Sequence, residues 1–384
     1  MLNFTYQNPT RIVFGKGTIA ELKTLIPPGA KVLVTYGGGS IKRNGVYDQI
    51  AAALSGHTFA EFGGIEPNPT YETCMRAVAQ AKATGADFLL AAGGGSVLDG
   101  TKFIAAAVKY RGPEPWDLLT DWSLIRDAVP LGAVLTLPAT GSEMNGGAVI
   151  SRAARHEKLF FITEKTMPRF SILDPETTFT LPPRQTANGV IDAFVHVLEQ
   201  YLTFDVQTPL QDRLAEAILV TLIEEGPKAL ADPNDYEVRA NLMWCATNAL
   251  NGWIACGVAQ DWATHMIGHE LTALYGLDHA QTLAVVSTLM MRHQGDRKRQ
   301  KLLQYAARVW GLVDGDEDAR IKKAIERTEA FFRSLGTATR LAEYGVPREA
   351  ATLVAQRLAD RSMQIGEHQD LGRKEVEEIL LLGM

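Results

Sequence analysis

Two segments of the sequence carry side chains that bind metals, and both are predicted to be apolar helices. Asp192 and His196 lie four residues apart in VIDAFVHVLEQY (190–201), so they share one helix face. His265 and His269 have the same spacing in ATHMIGHELTALY, and His279 follows at the start of the next predicted helix. A helix this apolar is expected to be buried, and a buried carboxylate needs a partner because desolvation without one is costly.

One divalent metal ion would supply that partner. Asp192, His196, His265 and His279 could provide four ligands, a mixture that suits zinc, ferrous iron, nickel or manganese. One carboxylate leaves a doubly charged ion with a net positive charge, which can hold an alkoxide or polarise a carbonyl oxygen. His269 is left over: it could donate a proton, orient another group or serve only the packing of its helix.

The elements that must position these residues fall into two halves of the chain. Short apolar runs alternate with helical segments up to residue 182: RIVF (11–14), KVLVTY (31–36), DFLLAA (87–92), AVLTLP (133–138) and FSILD (170–174). This alternation predicts an α/β domain over 1–182 with a doubly wound, mostly parallel sheet. After Pro182 and Pro183 strand-like runs nearly vanish, which predicts an all-helical domain over 183–384.

Two glycine-rich turns follow predicted strands. AAGGGSVLDGTK (91–102) ends a strand and opens a helix, an arrangement that suits a pyrophosphate, although a tight turn without a ligand explains the glycines as well. YGGGSIKRNG (36–45) has Gly37, Gly38, Gly39 and Ser40 where NAD-binding turns place a carboxylate. Its hydroxyl and cations could accept the 2′-phosphate of NADP, or the cations could face solvent. A third stretch, LPATGSEMNGGAV (137–149), could line a nucleotide site or be a long loop.

Composition excludes several classes of protein. The chain has 384 residues, 46% hydrophobic and 21% charged, and its net charge of -6 provides no basic surface for nucleic acid. We expect no membrane partner, because no run of about 18 apolar residues occurs and the first residues lack the pattern of a signal peptide. Cys74, Cys245 and Cys256 form no CxxC pair and are typical of buried thiols in a cytoplasmic protein.

Long motifs across nearly the whole chain resemble the iron-containing (group III) alcohol dehydrogenase family. SILDPETTFTLPPRQTANGVIDAFVHVLEQ and HMIGHELTALYGLDHAQ are similar to its two signatures. YGGGSIKRNGVYDQ, FGGIEPNPTYET, GGGSVLDGTKFIAAA and LPATGSEMN extend the likeness. Within the family the chain looks most like the bacterial NADPH-dependent aldehyde reductases and butanol dehydrogenases.

The resemblance implies a dehydroquinate synthase-like architecture and reversible hydride transfer between NADP(H) and a short-chain aldehyde or primary alcohol. It implies a homodimer and one Zn²⁺ or Fe²⁺ ion on Asp192, His196, His265 and His279. Asp99 would lie toward the nicotinamide, where it and His269 are the predicted catalytic residues. The predicted cofactor contacts are Gly37, Gly38, Gly39, Ser40, Asn68, Gly94, Gly95, Ser96, Asp99, Thr136, Asn145, Lys158 and Thr180.

Two positions depart from the family pattern, and three other functions compete. The neighbourhood of Lys158, RAARHEKLF, differs from that of relatives, and Met144 replaces a small residue. A lyase of the dehydroquinate synthase superfamily would need a basic cluster for a phosphorylated substrate, and none accompanies the metal motif. A metal-dependent hydrolase would need no dinucleotide turns, and a nucleotide-binding sensor would bind NADPH without turnover.

Overall fold

The computed structural model describes residues 1–384 and divides them into two compact units. The α/β unit comprises Gln7–Leu181 and Pro233–Thr247, and the helical unit comprises Met1–Tyr6, Pro182–Asp232 and Asn248–Met384. The strands are β1 (Arg11–Phe14), β2 (Lys31–Tyr36), β3 (Thr58–Phe62), β4 (Phe88–Gly94), β5 (Leu131–Leu137), β6 (Gly147–Arg152), β7 (Glu157–Ile162) and β8 (Phe170–Leu173).

The helices are α1 (Leu22–Leu25), α2 (Ser40–Arg43), α3 (Val46–Ala53), α4 (Tyr71–Thr84), α5 (Gly95–Lys109), α6 (Asp117–Thr120), α7 (Pro183–Tyr201), α8 (Pro209–Ala231), α9 (Tyr236–Ala249), α10 (Ala263–Tyr275), α11 (His279–His293), α12 (Arg299–Arg308), α13 (Glu317–Ser334), α14 (Ala350–Asp360) and α15 (Arg373–Leu381). No helix is long and apolar enough to cross a membrane.

A six-stranded parallel sheet with the order β1-β8-β5-β4-β2-β3 forms the centre of the α/β unit. From β2 the chain continues to β3 on one side, whereas from β4 it continues to β5 on the other. The direction of winding therefore reverses between the neighbouring strands β2 and β4. In open parallel sheets, ligands bind beyond the carboxyl ends of the strands at such a reversal.

Helices cover both faces of this sheet. Leu33, Leu89 and Ala91 point to one face, where they pack with buried residues of α4 and α5. Val34 and Leu90 point to the other face and pack with residues of α1 and α3. Strands buried on both faces have continuous apolar sequences, as the runs in β2 and β4 do. The predicted α/β fold with a doubly wound parallel sheet is confirmed.

All eight strands belong to the α/β unit, and the helical unit has only an isolated β-bridge between Ile365 and Leu371. One of its cores joins α10 and α11 to α14 and α15 through residues such as Ile267, Leu289, Val354 and Ile379. Every residue of α7 from Gly189 to Tyr201 is buried, in agreement with its nearly continuous apolar sequence. Asp192 and His196 therefore lie in an interior environment.

Three features of the fold differ from the sequence-based prediction. Strand β3 was not singled out, and the stretch 137–149 includes the start of an antiparallel hairpin formed by β6 and β7. Residues 1–6 belong to the helical unit and residues 233–247 to the α/β unit, whereas a division at residue 182 assigns each segment to the other unit. Met243, in α9, packs against Leu135 and Leu173 of the sheet. This contact explains why residues 233–247 belong to the α/β unit. The domain limits otherwise stay a prediction.

Candidate metal centre and nucleotide turns

Three helices of the helical unit bring the predicted metal ligands together. Helix α7 carries Asp192 and His196 on one face, and α10 carries His265 near its start. His279 is the first residue of α11, which Asp278 and Gln281 cap through reciprocal hydrogen bonds. Both α7 and α10 pack against α11, so the three helices converge on one point.

The carboxylate of Asp192 lies at the centre of this cluster. Its Oδ1 atom is 3.5 Å from His196 Nδ1, 3.8 Å from His265 Nε2 and 3.7 Å from His279 Nε2. Asp192, His265 and His279 form the most compact set, with ligand atoms all within 4.8 Å of one another. The ring of His196 stacks on that of His265 with centroids 4.5 Å apart, so it joins the cluster but not this set.

Three buried polar atoms of the cluster have no hydrogen-bond partner in the chain. Asp192 Oδ1, His196 Nδ1 and His265 Nε2 are all buried and make no hydrogen bond. Ligands of a tetrahedral ion at about 2.1 Å would be about 3.4 Å apart, close to the separations found here. A divalent ion therefore fits the donor set, because it would replace the partners that these atoms lost on burial.

Burial and neighbouring charges favour the metal-binding forms of Asp192 and His196, whereas at His265 they favour the protonated ring, from which a metal would have to displace a proton. Burial disfavours charge on Asp192, but His196, His265 and His279 outweigh it and hold the pKa of its carboxyl below the usual range. Burial also lowers the pKa of His196 to about 4, which leaves a neutral imidazole at pH 7. Burial acts on His265 in the same direction, but the charge of Glu199 outweighs it and raises the pKa to about 9.

Two residues beside the cluster were missed from the sequence. Glu199, on the same face of α7, contacts His265 Nδ1 with one oxygen and accepts the amide N–H of Thr264 at 2.7 Å with the other. Trp262 precedes α10 with a φ of 60°, a conformation that costs energy for a bulky residue. Its ring lies 5.4 Å from that of His265. The spacing of Glu199, seven residues after Asp192, was a signal that could have found it.

His269 lies at the edge of the cluster. Its ring centroid is 5.3 Å from that of His279 and 6.4 Å from that of His265, and only 6% of the residue is exposed. This position is compatible with each of the three roles considered for it, and its catalytic role stays a prediction.

In the α/β unit, the two glycine turns lie at the point where the winding of the sheet reverses. The turn at Gly37–Gly39 follows β2, and the neighbouring strand β4 ends at Gly94, directly before α5 begins at Gly95. The stretch 138–145 follows β5, which pairs with β4 on its other side. All three segments therefore lie at one edge of the sheet, where a dinucleotide binds in folds of this type.

Close packing requires glycine in the second turn. A Cβ atom on Gly94 would lie 2.8 Å from Leu137 Cβ, and one on Gly95 would lie 2.5 Å from Thr140 Oγ1. Glycine thus lets the stretch after β5 approach the start of α5. Since this packing alone accounts for both residues, the alternative of a tight turn without a ligand stays open beside the pyrophosphate site.

Asp99 is part of a buried network that its own chain satisfies. Its two oxygens accept hydrogen bonds from Ser142 Oγ at 2.7 Å and from the amide of Val149 at 3.0 Å. Lys102 Nζ donates to Ser142 Oγ at 2.8 Å, to the carbonyl of Gly147 at 2.8 Å and to Asn145 Oδ1 at 3.2 Å. These contacts hold Asp99 in place within the α/β unit, and its catalytic and cofactor roles stay predictions.

An acidic side chain from a neighbouring strand reaches the first turn, which spacing along the sequence did not predict. Glu61 comes from β3, the neighbour of β2, and binds Lys42 Nζ at 2.8 and 2.9 Å. Lys42 also lies over the rings of Tyr36 and Tyr47. Lys42 is thus already paired, whereas Arg43 is exposed at the same turn.

The other predicted cofactor contacts fall into small groups in the α/β unit. Lys158 Nζ, on β7, donates to Asn68 Oδ1 at 2.9 Å, so the structure brings these two residues together. Thr180 accepts a hydrogen bond from Asn44 Nδ2 at 3.0 Å, beside the first turn. Thr136 is a buried residue of β5, and Asn145 binds Lys102. Their roles toward a cofactor stay predictions.

Comparison with known proteins finds matches along nearly the whole chain. The family model for iron-containing alcohol dehydrogenase matches residues 9–175, and the model for the C-terminal part of the Fe-containing alcohol dehydrogenase family matches residues 186–382. The chain is 56% identical over 374 residues to the NADPH-dependent aldehyde reductase YqhD of Escherichia coli (strain K12), with 97% of each protein covered.

A further relative and one solved structure span essentially the whole chain. The probable NADH-dependent butanol dehydrogenase 1 of Bacillus subtilis (strain 168) is 43% identical over 385 residues, or 99% of each protein. The crystal structure of E. coli YqhD has a TM-score of 0.98 at 54% identity and covers 100% of this chain and 99% of its own. By these matches, the chain belongs to the iron-containing alcohol dehydrogenase family.

Proposed function

We propose that the protein is an NADPH-dependent, divalent-metal-dependent aldehyde reductase that reversibly converts short-chain aldehydes to primary alcohols. The observation that carries the proposal is the buried Asp192 Oδ1, which has no hydrogen-bond donor and is surrounded by three imidazoles at 3.5 to 3.8 Å. Similarity to an aldehyde reductase over 97% of the chain gives the reaction class.

In this proposal Asp192, His196, His265 and His279 hold one Zn²⁺ or Fe²⁺ ion. When bound, the ion supplies a Lewis acid that polarises a carbonyl oxygen, and the reduced nicotinamide supplies the hydride. Asp192 neutralises one of the two positive charges and leaves the remainder available to the substrate oxygen. The buried helix faces exclude water, which strengthens every electrostatic interaction in the site. His269 supplies the proton that the new hydroxyl group needs.

The cofactor is proposed to bind at the reversal of the sheet. Amide groups at the start of α5, at Gly95 and Ser96, hold the pyrophosphate, as helix N-termini do for anions. Gly37, Gly38, Gly39 and Ser40 hold the adenosine end. The names of the relatives include both NADPH and NADH. The higher identity to the NADPH-dependent relative, 56% against 43%, supports NADPH.

Direct measurement of cofactor oxidation, before and after removal of the metal, tests this proposal. We expect the purified protein to oxidise NADPH faster than NADH in the presence of short aldehydes, and to lose turnover after chelation. Divalent metal should restore it, and elemental analysis identifies the ion that the protein carries. The His265→Ala protein should be folded by circular dichroism, bind no metal and show no turnover. Full activity in that variant without metal would refute the role of His265.

Assembly as a homodimer and a cytoplasmic location are also part of the proposal. They rest on the family resemblance and on three cysteines that form no disulfide. Size-exclusion chromatography of the purified protein would contradict the first if it gave the mass of one chain.

A further inference from the structure

Glu199 contacts one of the proposed ligands and none of the others. It follows Asp192 by seven residues and His196 by three, so all three lie on one face of α7. Only 5% of the residue is exposed, and both carboxylate oxygens are bonded by the chain. We propose that Glu199 is a positioning residue that fixes the orientation and the tautomer of His265 for metal binding. This inference rests on the proposed metal site.

The contacts of Glu199 join α7 to the first turn of α10. Its Oε1 atom accepts amide N–H groups from Thr264 at 2.7 Å and from His265 at 3.3 Å. Its main-chain carbonyl accepts the amide of Asp261 at 2.9 Å. The start of the helix that carries His265 is thus held by the residue that also contacts its ring.

The second oxygen determines which imidazole nitrogen can bind a metal. Glu199 Oε2 contacts His265 Nδ1, and an ionised carboxylate can only accept a hydrogen bond. The proton must therefore lie on Nδ1. In the neutral imidazole this leaves the lone pair on Nε2, the atom that faces Asp192 Oδ1 at 3.8 Å. Carboxylates that bind the distal nitrogen of a metal-bound histidine set its tautomer and increase its basicity.

The second carboxylate also changes the charge of the site. Asp192 and Glu199 place two negative charges within one buried cluster, Asp192 beside the proposed ion and Glu199 on the far side of the His265 ring. The charge that Asp192 leaves on the ion stays available to the substrate oxygen, while Glu199 offsets part of the cost of holding that charge in an apolar interior. Glu199 thus stabilises the ion without occupying one of its coordination positions.

Replacement of Glu199 by glutamine separates this role from helix capping. An amide has one acceptor and one donor end, whereas the site presents N–H groups to both oxygens. If the glutamine oxygen accepts from Thr264, its NH₂ group faces His265 Nδ1. The imidazole proton then moves to Nε2, the atom that a metal needs. Glutamine therefore keeps the cap and reverses the tautomer.

The test measures binding of Co²⁺ and Zn²⁺ to the metal-free full-length protein by competition with a chromophoric chelator. We expect Glu199→Gln to weaken both affinities by about 10- to 100-fold, the usual effect of losing such a partner. The visible absorption of bound Co²⁺ should change as well. Glu199→Asp keeps the charge and should recover part of the affinity.

Glu270→Gln is the matched control. Glu270 is a buried carboxylate of α10, 1% exposed, that binds Arg357 and Arg361 instead of a histidine. It should lower stability without changing metal affinity. Wild-type affinity in Glu199→Gln, or an equal loss in both variants, would overturn the inference alone. A wild-type protein that binds neither metal would overturn the proposed metal site together with it.

Discussion

Two buried polar clusters, one in each unit, differ in how their polar atoms are satisfied. Both carboxylate oxygens of Asp99 and all three protons of the Lys102 ammonium have a partner in the chain. Around Asp192, an oxygen and two imidazole nitrogens have none. A cluster that its own chain satisfies needs nothing further, whereas an unsatisfied one needs a ligand. The comparison therefore separates a network whose chosen atoms the chain itself satisfies from one in which the chain leaves atoms unsatisfied.

The largest expected effect of breaking this contrast is on catalysis. Asp192→Asn keeps the shape of the side chain but removes the charge that holds the ion. Loss of the ion removes several kcal/mol of transition-state stabilisation, so we expect kcat to fall by about 10³-fold or more. Thermal unfolding with and without Zn²⁺ should show stabilisation of the wild type only. Undiminished kcat in the variant would contradict the comparison.

The next effect is on stability and concerns the Asp99 network. Burial lowers the pKa of Lys102 to about 8, while Asp99 and Glu143 oppose that shift, so the ammonium is mostly charged at pH 7. Lys102→Met leaves a buried carboxylate without its cation, and we expect a loss of about 3–5 kcal/mol in the free energy of unfolding. Urea denaturation with and without metal should give the same loss.

A second lysine of α5 provides the control for that measurement. Lys109 is 44% exposed and lies 3.7 Å from Asp127. Lys109→Met should change the free energy of unfolding by about 0.5 kcal/mol or less. If both lysine variants were equally stable, the network around Asp99 would not be the structural element described here.

The smallest effect concerns Glu329, which is satisfied by the chain but lies nearer the surface. It binds Arg292 at 3.0 Å and Arg340 at 2.8 Å. Burial would raise the pKa of its carboxyl, but the two guanidinium groups outweigh it and lower the pKa. Its contribution is therefore present above the unfolded-state pKa, about 4.3, and is lost as pH falls through the lower folded-state value.

We expect wild type to exceed Glu329→Gln in stability by about 1 kcal/mol at pH 6, with the difference disappearing in acid. Urea denaturation across this pH range measures it. Glu326→Gln, on the same helix, removes an exposed partner of Lys323 at 3.7 Å and should show almost no such change. If wild type remained more stable than Glu329→Gln in acid, the charge of Glu329 would not be the cause of the difference in stability.

Much of the sheet could be predicted from the sequence, for a physical reason. Four of the five predicted strands, β2, β4, β5 and β8, are apolar because both sheet faces are covered, so they stand out from their surroundings. Strand β3 is half-buried at an edge and has no such contrast. The hairpin was missed because its turn uses His156, with a φ of 48°, where a glycine would have given a signal.

The metal cluster could be predicted because helical spacing places Asp192 and His196 on one face and the histidine pattern recurs downstream. The contacts of Glu61 and Glu199 could not be assigned in the same way. Glu61 reaches the first turn through the pairing of β2 with β3, which spacing along the chain does not reveal. Glu199 meets Thr264 and His265 only after α7 and α10 have packed.

All four candidate ligands lie between residues 192 and 279, and all of them belong to the helical unit. The ion proposed to bind there would need contacts from this unit alone, whereas the glycine turns proposed to hold the dinucleotide belong to the α/β unit. Under that proposal, the cofactor could be exchanged without removing any ligand of the ion.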